Sequence, residues 1–284
     1  MKWSGLPAKI WMLLFVLMPF LWLVGLSLQQ GSQISDDNRL GLRQFERALS
    51  PPFSGIISSS VAFSFAASLT VLLIAVPVTW YVARLPRQKR KIWLALLSIP
   101  LGLNFVVRIY AWFVLVRPEG MITQFLDIIG LGIPLASTQA GVFLSLIYGY
   151  LPFMFLPLYT VFERLDNTQL EAAIDLGASA WQRWWLIIMP EILPGIVASF
   201  VFVFVPMLGE YLIPKMIGGG LVATLGTQIE SQFLGSIRPN WPFGAALSLC
   251  LLVCAVGVLA IAMRILARSS NGGKGESWSP FQVH

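Results

Sequence analysis

Six long apolar stretches constrain the fold of this chain more than any other feature of its sequence. They run at approximately 10–28, 60–83, 93–116, 139–161, 192–213 and 243–266. Each is near or above the roughly 20 residues that a helix needs to cross the hydrocarbon core of a bilayer. The stretches therefore predict an all-α, polytopic membrane protein with six transmembrane helices.

Composition excludes the ordinary soluble classes of protein. The chain is 57% hydrophobic and 11% charged, whereas about a quarter of the residues of a soluble domain are charged. Membrane-surface loops account for the net charge of +6, and a nucleic-acid-binding protein would need a soluble basic face that the sequence lacks. We therefore expect membrane lipid as a partner and no nucleic acid.

The distribution of basic residues predicts the orientation of the chain. One side of the six-span topology carries Lys2, Lys9, Arg84, Arg87, Lys89, Arg90, Lys91, Arg164, Arg183, Arg264, Arg268 and Lys274. The other side carries the smaller set Arg39, Arg43, Arg47, Arg117, Lys215 and Arg238. Because short cytoplasmic loops are enriched in Lys and Arg, the first set predicts that both termini and the loop at 162–190 are cytoplasmic.

The same topology divides the chain into two parts. Residues 1–268 are predicted to form one transmembrane domain, and residues 269–284 a disordered cytoplasmic tail. The first apolar stretch follows Lys2 and Lys9 as a signal peptide would, but it exceeds the usual 7–15 apolar residues. We expect it to be retained as a span.

The polar loop at 162–190 contains the signals of two short helices. Thr168 with Glu171, and Ser179 with Gln182, have the spacing of capping boxes and predict two helix starts. Gly177 lies between them, where the first helix needs a residue that tolerates left-handed backbone geometry. The loop is predicted to form two helices that meet at a tight corner.

Two interpretations of this loop remain open. Ala172 and Ala173 predict a flat surface, beside which Glu171 and Asp175 place two carboxylates for the basic groups of another protein. Alternatively, the loop is an amphipathic helix on the membrane surface. Its interface anchors would then be Trp181, Trp184 and Trp185.

Residue patterns of catalysis are missing from the sequence. There is no phosphate-binding Gly-x-x-x-x-Gly-Lys-Ser/Thr loop, no zinc-binding His-Glu-x-x-His, and a single histidine, His284. Cys250 and Cys254 lie four residues apart in the last span and are predicted to fill space. We expect no enzyme activity, no metal site and no cofactor in this chain, so any ATP must be bound by another chain.

Two charged residues inside the spans are candidates for function, because charges near the bilayer centre are costly. Glu210 follows Pro206 and Gly209, which predict a broken helix that lines a path. The alternative is a Glu210 that is simply hydrated near the outer interface. For Arg108 we prefer a structural role, in which the side chain snorkels to the interface between aromatic anchors.

The loop at 162–190 also resembles the EAA loop of binding-protein-dependent ABC import permeases. The resemblance rests on Glu171-Ala172-Ala173, Gly177, Ile187 and Pro190, with Met189 in place of the family's Leu. Further strings resemble polyamine importer permeases of the spermidine/putrescine type, PotB and PotH. They are Arg108-Ile109-Tyr110-Ala111-Trp112, Leu151-Pro152-Phe153-Met154, Leu176-Gly177-Ala178-Ser179, Gly209-Glu210-Tyr211-Leu212-Ile213-Pro214, Gly218-Gly219-Gly220 and Asn240-Trp241-Pro242-Phe243-Gly244-Ala245-Ala246.

The resemblance implies a type I importer permease in a bacterial inner membrane, with cytoplasmic coupling helices. Its implied partners are an ABC ATPase dimer that binds ATP and Mg²⁺, a second and different permease chain, and an external substrate-binding protein. The residues implied to couple to the ATPase are Glu171, Ala172, Ala173, Asp175, Gly177, Ala178 and Ser179.

For a polyamine cargo, aromatic faces with one or two carboxylates suit a path that replaces the hydration of a polycation. Our candidates for this path are Tyr110, Trp112, Glu210 and Tyr211, with Arg108 beside them. Arg108 would repel a cation unless a carboxylate or carbonyl groups neutralise it. Alternatives are an ABC importer for an opine, an aminophosphonate, another amine or iron, and an ion-coupled secondary transporter that uses Glu210 and Arg108.

Overall fold

The computed structural model describes residues 6–31, 39–235 and 239–272, and their regular structure is helical. An isolated bridge between Gln29 and Leu40 is the only extended pairing in these ranges. The helices are α1 (Leu6–Ser27), α2 (Arg43–Leu49), α3 (Phe53–Ala83), α4 (Arg87–Gly102), α5 (Phe105–Val116), α6 (Met121–Ile128), α7 (Gln139–Glu163), α8 (Asn167–Asp175), α9 (Ala180–Arg183), a π-helical turn (Trp184–Ile188), α10 (Met189–Leu208), α11 (Leu212–Ile217), α12 (Leu225–Leu234) and α13 (Trp241–Gly272). The all-α prediction is confirmed.

Four helical segments are long and apolar enough to cross a membrane. They are α3, α7, the continuous segment Ala180–Leu208 and the Trp241–Ala267 part of α13. The bent pair of α4 with Phe105–Ile128 makes a fifth, and the Trp11–Ser27 part of α1 is a shorter apolar helix. All six predicted stretches therefore coincide with helices, while a count of six complete spans stays a prediction.

The third span is not the single helix predicted at 93–116. α4 ends at Gly102, and the chain then turns by 94° into the segment that begins at Phe105. Leu103 is extended, and the Asn104 side chain accepts a 2.9 Å hydrogen bond from the backbone N–H of Val106, which starts α5. Gly102 and Asn104 therefore act as helix-end and helix-start residues inside an apolar stretch.

The fifth span also differs from the prediction at 192–213. Its helix begins earlier, at Ala180, and ends at Leu208, so Glu210 lies outside it in the break before α11. The tail prediction needs a similar correction, because α13 continues to Gly272 and includes the first residues of the predicted tail at 269–284. Residues 273–284 lie outside the described residues.

α7 is the centre of the packing. Over half of its apolar window is buried, 56%, against 28% for α3 and 22% for α13. α3 carries a row of small or β-branched buried residues: Ser60, Ser64, Ala67, Ser68, Val71 and Ala75. The serines of this row bond to other helices, Ser64 and Ser68 to Met207 of α10 and Ser60 to the backbone N–H of Leu225 on α12. Small side chains let helices approach closely in a membrane, and the greater burial of α7 places it inside the bundle of spans.

Candidate functional site

The loop at 162–190, which we name the coupling loop, begins with a carboxylate cap. The Asp166 side chain accepts hydrogen bonds from the backbone N–H and the hydroxyl of Thr168, at 2.9 and 2.7 Å. These two bonds hold the pKa of Asp166 below its usual range. The predicted capping box at Thr168 and Glu171 is therefore wrong, because Asp166 takes the capping position and Thr168 donates to it.

The end of α8 and the start of α9 are as predicted. Gly177 has a φ of +79°, in the left-handed region. The backbone N–H of Gly177 donates to the Ile174 carbonyl at 2.8 Å, and that of Ala178 donates to Ala173 at 2.9 Å. These two bonds form a Schellman motif. Ser179 and Gln182 then form both bonds of a capping box, so the tight corner is confirmed.

Most of the predicted coupling residues lie on the outer surface of this corner. Glu171, Ala172, Asp175, Gly177 and Ser179 are exposed, and Ala178 is half-buried. Ala173 is only 8% exposed and packs inward with Leu170, so it is not part of the predicted flat surface.

The sequence interpretation missed two apolar residues on the same surface. Leu176 is 88% exposed and Ile174 is 53% exposed. The sequence contained a signal for this surface, because Ile174 and Leu176 flank Asp175 and interrupt the expected polar face of a surface helix. Leu176 and Ile174 therefore place exposed apolar side chains next to the carboxylates of Glu171 and Asp175.

Aromatic residues fix the coupling loop to the membrane helices. Trp184 meets Trp80 of α3 edge to face at a ring-centroid distance of 5.2 Å, and Trp80 meets Phe162 of α7 at 5.4 Å. The Arg84 guanidinium lies 4.1 Å from the centre of the Trp80 ring. Trp181, by contrast, is 71% exposed. The loop is thus attached to the ends of both α3 and α7.

Two of the predicted path residues, Arg108 and Glu210, lie next to the breaks between α4 and α5 and between α10 and α11. Arg108 is only 4% exposed, so the predicted snorkelling is wrong. Its Nη1 donates to the Pro100 carbonyl at 3.0 Å and its Nη2 to the Gly149 carbonyl at 2.9 Å. The guanidinium also lies 5.2 and 5.5 Å from the ring centres of Phe105 and Phe153. Backbone carbonyl groups, rather than interfacial water, accept from its two terminal nitrogens, whereas its buried Nε has no hydrogen-bond partner among the described residues.

Glu210 is half-buried and makes three hydrogen bonds. Its Oε2 accepts from the Tyr150 hydroxyl at 2.7 Å. Its Oε1 accepts from the backbone N–H groups of Leu212 and Ile213 at 2.8 and 3.3 Å. Both oxygens of the carboxylate are therefore held by protein groups. We name Arg108, Gly149, Tyr150 and Glu210 the central clamp.

Tyr150 was missed by the sequence interpretation. It is 6% exposed in the middle of α7, between apolar neighbours. A buried tyrosine hydroxyl generally has a hydrogen-bond partner, so an intramembrane Tyr150 predicts a polar partner. Its identity cannot be read from the sequence, because Glu210 lies 60 positions away.

The remaining path candidates lie in separate surroundings. Trp112 donates from Nε1 to the Ser145 hydroxyl at 2.7 Å and stacks on Tyr148 at 4.2 Å. Tyr110 is 55% exposed, and Tyr211 is 44% exposed. Tyr211 lines an open cavity of about 520 Å³ together with Glu230, among others. The structure therefore presents Tyr110 and Tyr211 as free aromatic faces and engages Trp112 and Glu210 internally.

Potential metal ligands do not cluster in the described ranges. No group of three His, Cys, Asp or Glu side chains there could hold a metal ion. Cys250 and Cys254 are free and half-buried.

The chain is similar to known transport proteins along most of its length. A family model described as binding-protein-dependent transport system inner membrane component matches residues 53–271. The spermidine/putrescine transport system permease protein PotB of Salmonella typhimurium (strain SL1344) is 35% identical over 265 residues, which are 92% of this chain and 90% of that protein. Its counterpart from Escherichia coli (strain K12) is 34% identical over 265 residues, 92% of this chain and 94% of that protein.

The fold also matches a solved importer. In the crystal structure of a bacterial alginate ABC transporter bound to its alginate-loaded periplasmic protein, one chain superposes with a TM-score of 0.70. That chain is 19% identical, with 93% of this chain and 92% of the other covered. The likeness confirms the predicted fold of an ABC importer membrane subunit. The chain is a multi-pass inner-membrane transport subunit rather than an enzyme, and it belongs to the family of binding-protein-dependent transport system inner membrane components.

Proposed function

We propose that this chain is a membrane subunit of an ATP-driven importer of polyamines of the spermidine/putrescine class. The observation that carries the cargo assignment is the 35% identity to a spermidine/putrescine permease over 92% of the chain. In this proposal the chain forms the path together with a second, different permease. An external binding protein delivers the solute, and a pair of separate ATPase chains binds ATP and Mg²⁺.

The coupling loop is the contact with the ATPase in this proposal. Glu171 and Asp175 offer carboxylates to basic groups, and the exposed Leu176 enters an apolar part of the partner's cleft. When ATP closes the ATPase pair, the motion passes from the corner at Gly177 through Trp184 to Trp80. Because the loop is fixed to two membrane helices, the motion reaches the spans and access to the path alternates.

This assignment requires the coupling loop to face the cytoplasm. The basic residues Arg87, Lys89, Arg90 and Lys91 begin α4 on the same side of the membrane as the coupling loop, and Arg90 Nη1 lies 3.9 Å from Oε1 of Glu163 at the end of α7. Such a cluster favours the cytoplasmic side. With six complete spans, both termini are cytoplasmic as well.

The central clamp removes the main objection to a cationic cargo. The Arg108 guanidinium donates to two carbonyl groups and is almost fully buried, so its charge is partly compensated and shielded from the path. Tyr110 and Tyr211 supply exposed aromatic faces for an alkylammonium group. Glu210 supplies a negative charge in the break between α10 and α11.

Uptake by the reconstituted assembly tests this function. Proteoliposomes would contain this chain, its partner permease and its ATPases, with ATP inside, and the binding protein and labelled spermidine outside. We expect ATP-dependent uptake that unlabelled putrescine competes and an aminophosphonate does not. Uptake of another solute instead would refute the polyamine cargo, and uptake by this chain alone without ATP would refute the importer mechanism.

A further inference from the structure

The two helix breaks are attached to adjacent residues of α7, one to Gly149 and the other to Tyr150. Arg108, on α5, donates to the carbonyl of Gly149, and Tyr150 donates to Glu210 in front of α11. Gly149 lies ten residues after Gln139, about 15 Å along the helix at 1.5 Å per residue. Since the hydrocarbon core is about 30 Å thick, the two attachments lie near the middle of the membrane.

The charge of Arg108 complements the end of α4. Pro100 lies in the last turn of α4, where carbonyl groups have no partner within the helix. A cation is favourable at this negative end of a helix. By bonding both Pro100 and Gly149, Arg108 connects α4, α5 and α7 across the 94° bend.

The charge of Glu210 complements the start of α11 in the corresponding way. Its Oε1 accepts from the first free N–H groups of α11, and its Oε2 accepts from Tyr150. The carboxylate thus connects the backbone of α11 to a side chain of α7. Hydrogen bonds to an ionised group are shorter and stronger than neutral ones.

Apolar packing brings the two attached helices together at the same point. A Cβ atom on Gly149 would lie 3.1 Å from Cδ1 of Ile213 on α11 and 3.5 Å from Cδ1 of Ile109 on α5. Both isoleucines are fully buried. Since Ile109 and Ile213 converge on a residue without a side chain, α5, α7 and α11 meet in one tight contact.

We propose that Tyr150 is a positioning residue that holds α11 on α7 through Glu210, so that α5, α11 and the middle of α7 move as one unit when access alternates. This proposal rests on the proposed function only in one respect, that ATP drives the change of access. It holds for any cargo. A purely local role for Tyr150 would instead leave α5 and α11 free to separate during the cycle.

Spin labels measure whether α5 and α11 stay together. In the complete assembly, Cys250 and Cys254 would be replaced by serine and labels attached at Val114→Cys on α5 and Lys215→Cys on α11, both exposed positions. We expect the same inter-label distance without nucleotide and with ATP bound. Because this comparison needs only nucleotide, it remains decisive if the assembly carries no polyamine. A distance that changes with ATP would overturn the single unit.

A matched pair of tyrosine variants tests the positioning role. Tyr150→Phe keeps the ring and removes the bond to Glu210, whereas Tyr159→Phe removes an equivalent 2.7 Å bond to Glu163 on the same helix. We expect Tyr150→Phe to broaden the inter-label distance and to lower solute uptake per ATP hydrolysed by roughly tenfold, since bonds to charged groups are strong. Tyr159→Phe should change neither quantity. An unchanged distance and unchanged uptake per ATP in Tyr150→Phe would overturn the role.

Discussion

The coupling loop and the central clamp use charged residues in opposite ways. In the loop, Glu171 and Asp175 are exposed, and the bonds that shape the corner join residues that are neighbours in sequence. In the clamp, Arg108 is 4% exposed, and its bond to Gly149 spans 41 positions. In the proposed function the loop offers its exposed groups to a partner, whereas the buried groups of the clamp hold the shape of the membrane domain.

The two regions should therefore fail differently when they are altered. In the proposed function, changes to the exposed face of the loop remove a contact with another chain and leave the fold intact. Loss of Arg108 from the clamp leaves backbone carbonyl groups without partners, which is costly in a membrane, whereas Glu210→Gln keeps a polar side chain in place and should act mainly on uptake. The variants below test this contrast between activity and stability.

The largest effect is expected at the corner of the loop. Gly177→Asp should abolish ATP-driven uptake while membrane insertion stays normal, because it adds bulk and charge to the docking surface. A Cβ atom at Gly177 would contact nothing within 4 Å, so the cost to the fold is the backbone strain of a side chain at a φ of +79°. Gly220 is the matched control, since it has a φ of +80° and equally open surroundings. Normal uptake by Gly177→Asp would contradict the coupling role of this corner, and so would an equal loss of uptake in Gly220→Asp.

In the clamp, Arg108→Leu should lower the stability of the folded chain. It removes the donors of the Pro100 and Gly149 carbonyl groups, and each bond from a charged donor contributes about 1.5–3 kcal/mol. Part of this loss is offset because a buried charge is also removed. We expect a net loss of about 2 kcal/mol, seen as a lower Tm of the purified assembly. Arg117→Leu, at an exposed end of α5, is the control, and equal Tm values for the two variants would contradict the clamp.

An intermediate effect is expected for Glu210→Gln. The amide keeps the size of the side chain but loses the charge that faces Tyr150 and the start of α11. We expect polyamine uptake to fall by roughly tenfold, the equivalent of about 1.4 kcal/mol, with a smaller effect on assembly. Glu230→Gln, which alters a carboxylate paired with Lys215 at 2.6 Å, serves as the comparison. Normal transport by Glu210→Gln would show that the charge of Glu210 has no part in the path.

The smallest effect is expected at the cap of α8. Asp166→Ala should increase amide exchange in the first turn of α8 without preventing transport, because it removes one local cap. The pKa of Asp166 is lowered in the folded chain, so its contribution is complete above the ordinary carboxyl pKa of about 3.9 and is lost as the pH falls through the lower folded value. Asp166→Asn should keep the cap and remove this pH dependence. Equal exchange in Asp166→Ala and the unaltered chain would show that the cap is dispensable.

Sequence reasoning succeeded where the determining interactions are local. The corner at Gly177 and the cap at Ser179 depend on residues within a few positions, and both were predicted. The helical class followed from apolar stretches whose length alone decides the outcome. The cap at Asp166 was missed because Thr168 has the same capping chemistry, and the choice between them depends on backbone geometry.

The clamp could not be predicted because its partners are far apart in sequence. Nothing near Arg108 shows that Gly149 will bring a carbonyl group to it, so an interfacial position was the reasonable expectation. Similarly, an apolar stretch conceals the break after Gly102, because hydropathy is the same for a straight helix and a bent one. These features depend on how residues far apart in the sequence pack against α7, and the order of residue types along the chain does not show that packing.

Cross-linking at the apex of the coupling loop tests the central claim most directly. A photoreactive label on Leu176→Cys, which replaces an 88% exposed side chain, would be compared with the same label on Leu221→Cys, at a position 78% exposed. Both variants would be made in the complete assembly after Cys250 and Cys254 are replaced by serine. We predict that the label at position 176 joins this chain to the ATPase and that the label at position 221 does not. Reaction of position 176 with lipid alone would contradict the account.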